Sequence, residues 1–525
     1  MCGIFAYLGL QYSDKELIDF SNKIVHRGPD ETIHKRINNK LFFSFHRLAI
    51  NGLNSESGQP FINNGIYLIC NGEIFNYKKL IKEFTFENEY KSDSDCEIII
   101  HLYKKFGIDK TCCLLDGEFA FCLYDSNEDV LYVARDHLGI RSLYYNISTN
   151  ELCFCSELKA QPNINVINQF PPASYWSSKS FTFTKFFTII NESFCDDNEE
   201  EIINNIRILF TNAVDKRLMS DRKMACLLSG GLDSTTVSAI VASRFEPYTL
   251  NTYSIGLKNS VDLHYAKIAA KYLKTNHTSI ELTNEDFLNA IEKTIKQIES
   301  YDTTSVRASV GNYLISLYIK NNSDDTVIFC GDVSDEIFAS YRGFFYASKD
   351  EEFYTENLKM LENIQYFDVL RSDKSIAGAG LEARVPFSDM DFVKYCMSIK
   401  PSYKRFNKNK IEKYLFRKAF EHMLPPELAW RVKTAFSDGV SNSEKPWYEI
   451  IKEYMHTKYS DEEFNLLIKK YIHNIPYDKE SLYYREIYER LYPNTSHTIP
   501  YFWKQPFMKN EDPSAWCVEN NIDMC

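Results

Sequence analysis

The sequence predicts two domains of different class: an α+β domain of antiparallel sheets with helices, followed by a parallel α/β domain with a helical C-terminal part. The first third of the chain contains short apolar or aromatic runs that end in polar turns, a pattern typical of strands. Later, short apolar runs alternate with helical patterns, which indicates a parallel sheet. An acidic, turn-rich stretch at residues 195–201 separates the two patterns, and 525 residues are too many for one ordinary core. We therefore place the two domains at residues 1–195 and 196–525.

The first domain is predicted from its apolar runs. The predicted strands cover residues 2–10, 41–50, 66–70, 118–124, 130–134 and 151–155. Helical patterns lie between them, such as residues 96–105 with Asp95 as a plausible cap. This order indicates antiparallel sheets covered by helices.

The second domain begins with an amphipathic helix at residues 202–218. The predicted strands are residues 224–228, 250–257 and 326–330. One predicted helix starts at Asp233, and another covers residues 260–273. Two of these strands end in polar loops. Beyond about Phe344 the pattern is mainly helical.

Composition excludes several classes of protein. The net charge of −12 argues against a general nucleic-acid binder, which is usually basic. There is no run of about 18 apolar residues, so we expect no transmembrane helix. The first residues lack the features of a signal peptide, and we expect a cytoplasmic protein whose 14 cysteines, Cys2 excepted, are mostly reduced and buried.

The first candidate site is centred on Cys2. Removal of Met1 before this small residue would leave a thiol and an α-amine on one residue. The α-amine has a reference pKa of about 7.7–8.0, so it can act as general base for its own thiol. A cysteine at position 2 is weak evidence alone, and its value depends on the polar residues elsewhere in the domain.

Hydrolysis of an amino acid's side-chain amide needs an oxyanion site, a cation and an anion beside the nucleophile. The Asn71 side chain and the Gly72 N–H can form the oxyanion site, and Arg47 can pair with an α-carboxylate. Asp95 and the carbonyls near Glu73 can hold an ammonium. Each residue also has an ordinary explanation, since Asn-Gly is a common turn, Arg47 would suit the surface and Asp95 would cap a helix.

The combined pattern resembles the glutaminase domain of class II amidotransferases, which are N-terminal-nucleophile (Ntn) hydrolases with stacked antiparallel sheets between helices. The motifs that carry the resemblance are residues 2–4, 26–30, 47–48, 71–73, 95, 115–120 and 135–139. It implies that Cys2, Asn71 and Gly72 are catalytic. It also implies a glutamine-binding set of Arg47, Leu48, Ala49, Ile50, Asn51, Asn71, Gly72, Glu73 and Asp95.

The second candidate site is a glycine-rich loop between a predicted strand and a predicted helix. It reads Ser229-Gly230-Gly231-Leu232-Asp233-Ser234. Glycines allow the backbone to approach a phosphate, and successive N–H groups at a helix N-terminus supply a positive field. Asp233 can reach a Mg²⁺ ion that bridges phosphates. The Walker Gly-Lys-Ser is absent, and the loop resembles that of the ATP pyrophosphatases, which release AMP and pyrophosphate.

With the glutaminase-like domain and the glycine-rich loop together, the sequence resembles the asparagine synthetases over nearly the whole chain. Further matching segments are residues 301–304, 307–309, 380–387, 430–439 and 511–514. The resemblance implies ATP as substrate and Mg²⁺ as its counter-ion. It implies an ATP site of Leu228, Ser229, Gly230, Gly231, Asp233, Ser234, Ile255, Cys330 and Gly331, metal ligands Asp233 and Asp335, and catalytic roles for Asp332, Arg307 and Lys433.

The chain departs from the family in its second polar loop. The family loop normally reads Ser-Gly-Glu-Gly-Ser-Asp-Glu, whereas residues 330–336 read Cys-Gly-Asp-Val-Ser-Asp-Glu. The glutamate implicated in forming and using an aspartyl-adenylate becomes Asp332, which has one methylene less reach. Val333 replaces a glycine and would be strained if that position requires a positive φ. Ala173 also stands where a glycine is common.

The resemblance implies a two-part reaction. Cys2 releases ammonia from glutamine, aspartate is activated as β-aspartyl-AMP, and ammonia passing inside the protein displaces AMP to give asparagine. Two alternatives remain open: another amide-forming synthetase of the same architecture, or a catalytically weakened homologue that binds glutamine or a nucleotide. Family members are often dimers, so a homodimer is one expectation. The expected partners are otherwise small molecules, with no nucleic acid and no membrane.

Overall fold

The computed structural model describes residues 1–148, 151–190, 193–406, 410–432, 439–441 and 445–508. It consists of two units. The first unit comprises Met1–Thr188, Met219–Lys223 and Ile376–Glu382. The second comprises residues 189–218, 224–375 and those from 383 onward.

The first unit contains two six-stranded antiparallel sheets, with strand orders β10-β8-β9-β1-β3-β2 and β12-β11-β7-β6-β5-β4. Its strands are β1 (Gly3–Gly9), β2 (Glu31–Arg36), β3 (Leu41–Arg47), β4 (Phe61–Asn63), β5 (Ile66–Ile74), β6 (Gly117–Asp125), β7 (Val130–Arg135), β8 (Tyr144–Ile147), β9 (Glu151–Cys155), β10 (Asn168–Gln169), β11 (Ser174–Ser177) and β12 (Thr182–Lys185). Its helices are α1 (Asp14–Asn22), α2 (Tyr77–Phe84) and α3 (Ile98–Leu114).

Alternating side chains in β5 build the layers of this unit. Ile69 points into a core that it shares with Phe43 of the first sheet, so the two sheets face each other. Its neighbours Leu68 and Cys70 point the other way, into a second core with Ile99 of α3. The two sheets therefore stack, with helices against the outer face of the second.

The second unit is built on a five-stranded sheet of order β15-β14-β13-β16-β17, in which β13 to β16 are parallel. The strands are β13 (Met224–Leu227), β14 (Asn251–Leu257), β15 (Asn276–Leu282), β16 (Val327–Phe329) and β17 (Glu382–Arg384). The helices are α4 (Glu199–Lys216), α5 (Leu232–Ala242), α6 (Val261–Leu273), α7 (Asn284–Ile298), α8 (Thr303–Asn322), α9 (Ser334–Phe338), α10 (Asp350–Asn363), α11 (Asp368–Ala377), α12 (Met390–Ser398), α13 (Pro401–Lys404), α14 (Tyr414–Phe420), α15 (Pro426–Ala429), α16 (Trp447–Lys458), α17 (Asp461–Leu467) and α18 (Lys479–Leu491).

The predicted fold class is confirmed in both units, and the differences are local. Helix α4 begins at Glu199, before the predicted start, because Asn198 and Glu201 form a capping box. Most strands that the sequence pattern missed, β2, β4, β10, β12 and β15, lie at sheet edges. Edge strands carry polar residues, as in the run NHTSIEL of β15, so their apolar signal is weak. No described helix is long and apolar enough to cross a membrane.

Candidate active sites

Cys2 precedes β1 and lies beside the chain that leaves β3. Since Gly3 pairs with His46 across the two strands, Leu48 follows at the same end of the sheet. Its backbone N–H donates to the Cys2 Sγ at 3.4 Å. Burial raises the pKa of the Cys2 thiol to about 11, so the thiol is protonated while Met1 is in place.

Met1 is enclosed within the first unit, with 1% of its surface exposed. Its α-amine lies 3.4 Å from the Leu381 carbonyl oxygen and 3.7 Å from a Glu382 carboxylate oxygen, and burial lowers the pKa of this amine. The Arg141 Nη1 donates to the methionine sulfur. The nitrogen of Cys2 is a peptide nitrogen in this form, so the thiol has no α-amine as its base.

Arg27 fixes the main chain of the nucleophile, a role that the sequence analysis missed. Its Nε donates to the Cys2 carbonyl oxygen at 2.9 Å, and its Nη1 pairs with Glu157 at 2.9 Å. Burial alone would raise the pKa of Glu157, but Lys159, His26 and Arg27 together hold it well below its usual range. The Glu157 carboxylate is therefore a permanent anchor for Arg27. The sequence signal is the run His26-Arg27, which lies in the matching segment 26–30.

Asn71 is fully buried in β5, yet neither its Oδ1 nor its Nδ2 has a hydrogen-bond partner among the described residues. A buried unpaired amide is unfavourable by about 1–3 kcal/mol, so such a group is expected where a ligand supplies the partner. The neighbouring Gly72 is required sterically. A Cβ there would lie 2.3 Å from the Glu118 carbonyl oxygen and 2.6 Å from the Phe119 Cα of the adjacent strand.

Two carboxylates converge next to this strand. The Asn51 Nδ2 donates to Glu73 and lies 3.4 Å from the Asp95 Oδ1. The other Asp95 oxygen accepts the Ile74 N–H at 2.6 Å. Burial, together with the charges of Asp95 and Glu73, raises the pKa of Tyr77 to about 12. This negative cluster suits an ammonium group.

Arg47 lies at the end of β3 with its guanidinium anchored on one side. Its Nη1 pairs with Glu31 at 3.1 Å and its Nη2 donates to the Gly52 carbonyl oxygen. Gly52 adopts a φ of +65°, and its own N–H donates to Asp221 at 2.8 Å.

The structure thus joins Cys2 to Leu48, and Asn51 to Glu73 and Asp95, while Arg47 contacts Glu31 and Gly52. The remaining predicted glutamine-binding residues Ala49 and Ile50 are buried beside them.

In the second unit, two loops follow the parallel neighbours β13 and β16. Such strand ends form the usual ligand crevice of a parallel sheet. The Ser334 Oγ of the second loop donates to Asp233 of the first at 2.9 Å. Glycines permit this approach, since a Cβ at Gly331 would lie 2.9 Å from the Ser234 nitrogen. Gly230 has a φ of +75° and packs against the backbone of Tyr265.

A cavity of about 250 Å³ opens at these loops. Its lining includes most of the predicted ATP and metal residues, namely Leu228, Ser229, Gly231, Asp233, Ser234, Ile255, Cys330, Gly331 and Asp335, and also the predicted catalytic residue Asp332. Gly230 and Arg307 are not in its lining. Lys433 and residues 511–514 lie outside the described residues.

Asp233 and Asp335 converge on one cation, Lys413. The Lys413 Nζ lies 2.6 Å from each carboxylate. Burial would lower the pKa of Lys413, but the two aspartates raise it overall. Two carboxylate oxygens that meet at one point, beside a phosphate-type loop, fit the ligand preference of Mg²⁺. No local motif points to Lys413, which lies 180 positions from Asp233 in the chain.

The altered loop holds Val333 at φ +77° and ψ −17°, in the left-handed region. The position therefore does take the backbone conformation that favours glycine, and a buried β-branched residue is strained there. The Val333 N–H donates to Asp368 at 3.1 Å. The Asp332 carboxylate receives one hydrogen bond from Arg371 at 2.8 Å and one from Ser372 at 2.6 Å.

Arg307 forms a two-pronged ion pair with Glu480, with its Nε at 2.8 Å and its Nη2 at 2.7 Å from the two carboxylate oxygens. Both side chains are only 3% exposed. On the same helix, Thr304 and Ala308 do line the cavity. Arg307 therefore stands behind the cavity wall, paired with α18.

The comparisons with known proteins cover both units. A family described as "Glutamine amidotransferase domain" matches residues 1–182, and one described as "Asparagine synthase" matches residues 205–362 and 346–516. The chain is 38% identical to "Asparagine synthetase [glutamine-hydrolyzing]" of Gallus gallus, across 98% of each protein. It is 37% identical to the proteins of that name from Mus musculus and Homo sapiens, again across 98% of each.

Proposed function

Since this chain belongs to the glutamine-hydrolysing asparagine synthetases, we propose that it makes asparagine from aspartate, ATP and glutamine-derived ammonia through a β-aspartyl-AMP intermediate. The observation that carries the proposal is that each unit contains residues suited to one half of this reaction. In the first, the Cys2 thiol accepts the Leu48 N–H, and β5 carries the buried Asn71 amide, which has no partner among the described residues. In the second, two loops and two aspartates surround a cavity.

The first half begins when removal of Met1 frees the Cys2 α-amine. This amine accepts the thiol proton, and the thiolate attacks the side-chain carbonyl carbon of glutamine. The Asn71 Nδ2 and the Gly72 N–H donate to the resulting oxyanion. This assignment is supported by the Asn71 amide, which has no partner among the described residues. The protonated amine gives its proton to the departing nitrogen, ammonia leaves, and water hydrolyses the thioester to glutamate.

The glutamine head group is held by opposite charges. Glu73 and Asp95, which Asn51 draws together, bind the ammonium. Arg47 binds the α-carboxylate, because its guanidinium is anchored by Glu31 and Gly52 and can present its remaining N–H groups.

The second half is the attack of aspartate's β-carboxylate on the α-phosphorus of ATP, which expels pyrophosphate. We assign the phosphates to the backbone N–H groups at the start of α5, and the nucleoside to Leu228 and Ile255, which line the cavity. Asp233 and Asp335 would hold Mg²⁺, which supplies positive charge to the leaving pyrophosphate. Lys413 holds the two aspartates at this point, and Lys433 is proposed as a further cation for the phosphates.

Adenylation makes the carboxyl carbon electrophilic, because AMP is a far better leaving group than oxide. Ammonia then adds to this carbon and AMP departs. Asp332 lines the cavity, and we place its carboxylate beside the intermediate, where it can accept a proton from the added nitrogen. Arg307 acts from behind the wall, through its pair with Glu480.

A catalytically weakened homologue that binds glutamine or nucleotide is the second candidate, and one observation favours it. Val333 occupies a left-handed backbone position, which stores about 1–3 kcal/mol of strain in the loop that carries Asp332. A homodimer, a cytoplasmic location and the absence of nucleic-acid partners remain further proposals.

The deciding experiment measures AMP, pyrophosphate and asparagine from aspartate, MgATP and either ammonium chloride or glutamine. We expect aspartate-dependent AMP with both nitrogen donors. A protein that binds MgATP but forms no aspartate-dependent AMP with either donor is the weakened homologue. AMP formed with another carboxylic acid but not with aspartate identifies a different amide-forming synthetase.

A further inference from the structure

The cationic side chains of the second unit's cavity differ in how fully they are engaged. Those in the described lining are Arg342, Arg371, Lys413, Arg417 and Arg431. Lys413 is taken by two aspartates, and Arg417 by Glu412 at 2.6 Å and by the Ala429 carbonyl oxygen at 2.7 Å. Arg371 uses its Nε and Nη2 on Asp368 and Asp332. Its Nη1 makes no hydrogen bond with any residue that the structure describes.

Arg371 and Asp368 form a neighbouring cation and anion at the cavity surface. Asp368 is the first residue of α11 and Arg371 lies three positions later, so the two side chains share one face of the helix. The Arg371 Nε donates to the Asp368 Oδ1 at 2.8 Å. Their side chains are 12% and 16% exposed, and both line the cavity.

The backbone of the second loop fixes this pair. The Val333 N–H donates to the Asp368 Oδ2 at 3.1 Å, and Arg371 reaches the Asp332 Oδ1 at 2.8 Å. The Ser372 Oγ holds the second Asp332 oxygen at 2.6 Å. The pair is thus tied to the same loop that carries Asp332 and Asp335, and it cannot swing away without breaking several contacts.

An amino acid carries an ammonium and a carboxylate on one carbon, and an adjacent carboxylate and guanidinium complement that head group. We propose that Asp368 and Arg371 form the subsite for the α-amino acid head group of the substrate, with Arg371 Nη1 donating to its α-carboxylate and Asp368 accepting from its α-ammonium. The inference rests on the proposed function and assigns the part of aspartate that does not react.

Arg307 is a further buried arginine, on the helix that supplies Thr304 and Ala308 to the cavity lining, and its geometry does not suit this task. Glu480 takes its Nε and Nη2 together, and Arg307 does not line the cavity. A carboxylate would have to displace Glu480 from a buried, two-pronged pair. Arg371 needs no such exchange, because its side chain lines the cavity and its Nη1 has no hydrogen-bond partner among the described residues.

The test uses the full-length enzyme and two inhibitors that each lack one group of aspartate. Succinate keeps both carboxylates but has no ammonium, and β-alanine keeps the ammonium and the reacting carboxylate but has no α-carboxylate. The KM for aspartate and MgATP and the inhibition constants of both compounds are measured from pyrophosphate release with ammonium chloride. The variants are Arg371→Met and Asp368→Asn.

We expect a crossed pattern. Arg371→Met should raise the KM for aspartate and the inhibition constant of succinate by about tenfold to a hundredfold, because a charge-assisted hydrogen bond is lost. It should change the inhibition constant of β-alanine by less than about threefold, because β-alanine has no α-carboxylate for Arg371 to bind. Asp368→Asn should raise the KM for aspartate and the inhibition constant of β-alanine, and should leave the inhibition constant of succinate unchanged. In both variants the KM for MgATP should stay close to wild type.

Two controls separate binding from folding. Arg244→Met removes a matched arginine, which pairs with Asp215 at 2.8 Å on the surface of the same unit, and should behave as wild type. Arg371→Lys keeps a charge and should show an intermediate KM for aspartate. If Arg371→Met weakens the binding of aspartate, succinate, β-alanine and MgATP equally, the proposed subsite is wrong and the role of Arg371 is structural. A wild-type enzyme without aspartate-dependent pyrophosphate release would instead overturn the proposed function, and the subsite with it.

Discussion

The ammonium nitrogen of Lys413 lies 2.6 Å from a carboxylate oxygen of Asp233. The same nitrogen is 2.6 Å from Asp335, so one lysine neutralises the two residues that we propose as Mg²⁺ ligands. Two aspartates without a partner would repel each other, so they require a cation between them. A Mg²⁺ ion can take the place of the lysine ammonium in such a site.

Replacing Lys413 with methionine should therefore make the second unit depend on the metal. The variant should lose about 1–3 kcal/mol of stability without Mg²⁺, since two partly buried carboxylates lose their partner. Millimolar MgCl₂ should raise the thermal midpoint of the variant more than that of wild type. The matched control is Lys418→Met, which removes an exposed pair with Glu421. An equal Mg²⁺ response in all three proteins would contradict the shared site.

Cys2→Ala should separate the two nitrogen donors. We expect glutamine-dependent asparagine formation and glutamine hydrolysis to disappear, while ammonium-dependent synthesis stays within about twofold, because the synthetase chemistry does not use the thiol. The assays compare both donors on the same preparation. Cys113→Ala, which removes an exposed thiol, serves as control. Loss of the ammonium reaction in Cys2→Ala would be the contrary result.

Retention of Met1 should have the same effect as loss of the thiol. Met1 is buried, and while it remains the Cys2 nitrogen is in a peptide bond. Mass spectrometry of the intact protein measures the processed fraction, and glutaminase activity should rise in proportion to it. Full activity in a preparation that retains Met1 would exclude the α-amine as base.

Asn71→Leu should uncouple activity from stability. The leucine is similar in volume and removes an amide whose two polar atoms have no partner among the described residues, so the free energy of unfolding should not fall and could rise by about 1 kcal/mol. The glutamine kcat should fall by about 10²–10³, as for loss of one oxyanion donor. Chemical denaturation and glutamate release provide the two measurements. A large loss of stability would show instead that the amide supports the fold.

The sequence indicates candidate site residues more readily than the partners that hold them. Local motifs point to Cys2, Asn71 and the loop at Asp233, because chemistry fixes residue type at short spacing. Arg27 and Lys413 were missed because their contacts join residues far apart in the chain, as Lys413 and Asp233 are 180 positions apart. Ala173 and Val333, which stand where the family has glycines, both take a positive φ. The pairing of Arg307 with Glu480 also depends on the fold, and no spacing rule would predict it.

His46 should make the first unit sensitive to mild acid. It is fully buried, and burial lowers its pKa to about 4, whereas an unfolded histidine titrates near about 6.5. Between these values the unfolded chain binds more protons, so stability is fully present above about pH 6.5 and is lost as the pH falls. The loss between about pH 7.5 and 5.5 should be about 1 kcal/mol.

The measurement compares the thermal midpoint of wild type and His46→Gln at both pH values. Glutamine can keep a hydrogen bond to the Ser21 hydroxyl, which lies 2.8 Å from His46, but does not titrate. The variant should therefore show a smaller midpoint shift than wild type. Identical shifts would mean that other groups govern the acid response.

Val333→Gly tests whether strain in the second loop limits the synthetase. Glycine relieves about 1–3 kcal/mol of backbone strain at φ +77°, but it removes a buried side chain worth about 1.5–3 kcal/mol and adds unfolded-chain entropy. These effects oppose, so the free energy of unfolding should fall by less than about 2 kcal/mol. Val327→Gly, at a fully buried position in β16, has no strain to relieve and should be the more destabilising of the two.

Activity gives the sharper result when Asp332 is changed as well. Asp332→Glu alone adds a methylene where Arg371 and Ser372 already hold the carboxylate, so it should disturb those contacts and gain little. Together with Val333→Gly, the loop can adjust its backbone to the longer side chain, and ammonium-dependent asparagine formation should rise severalfold over wild type. Glutamine hydrolysis, measured in the same samples, should not change. If the double variant is slower than wild type while its fold is intact, Asp332 and Val333 are a matched pair suited to this enzyme, and loop strain does not limit its rate.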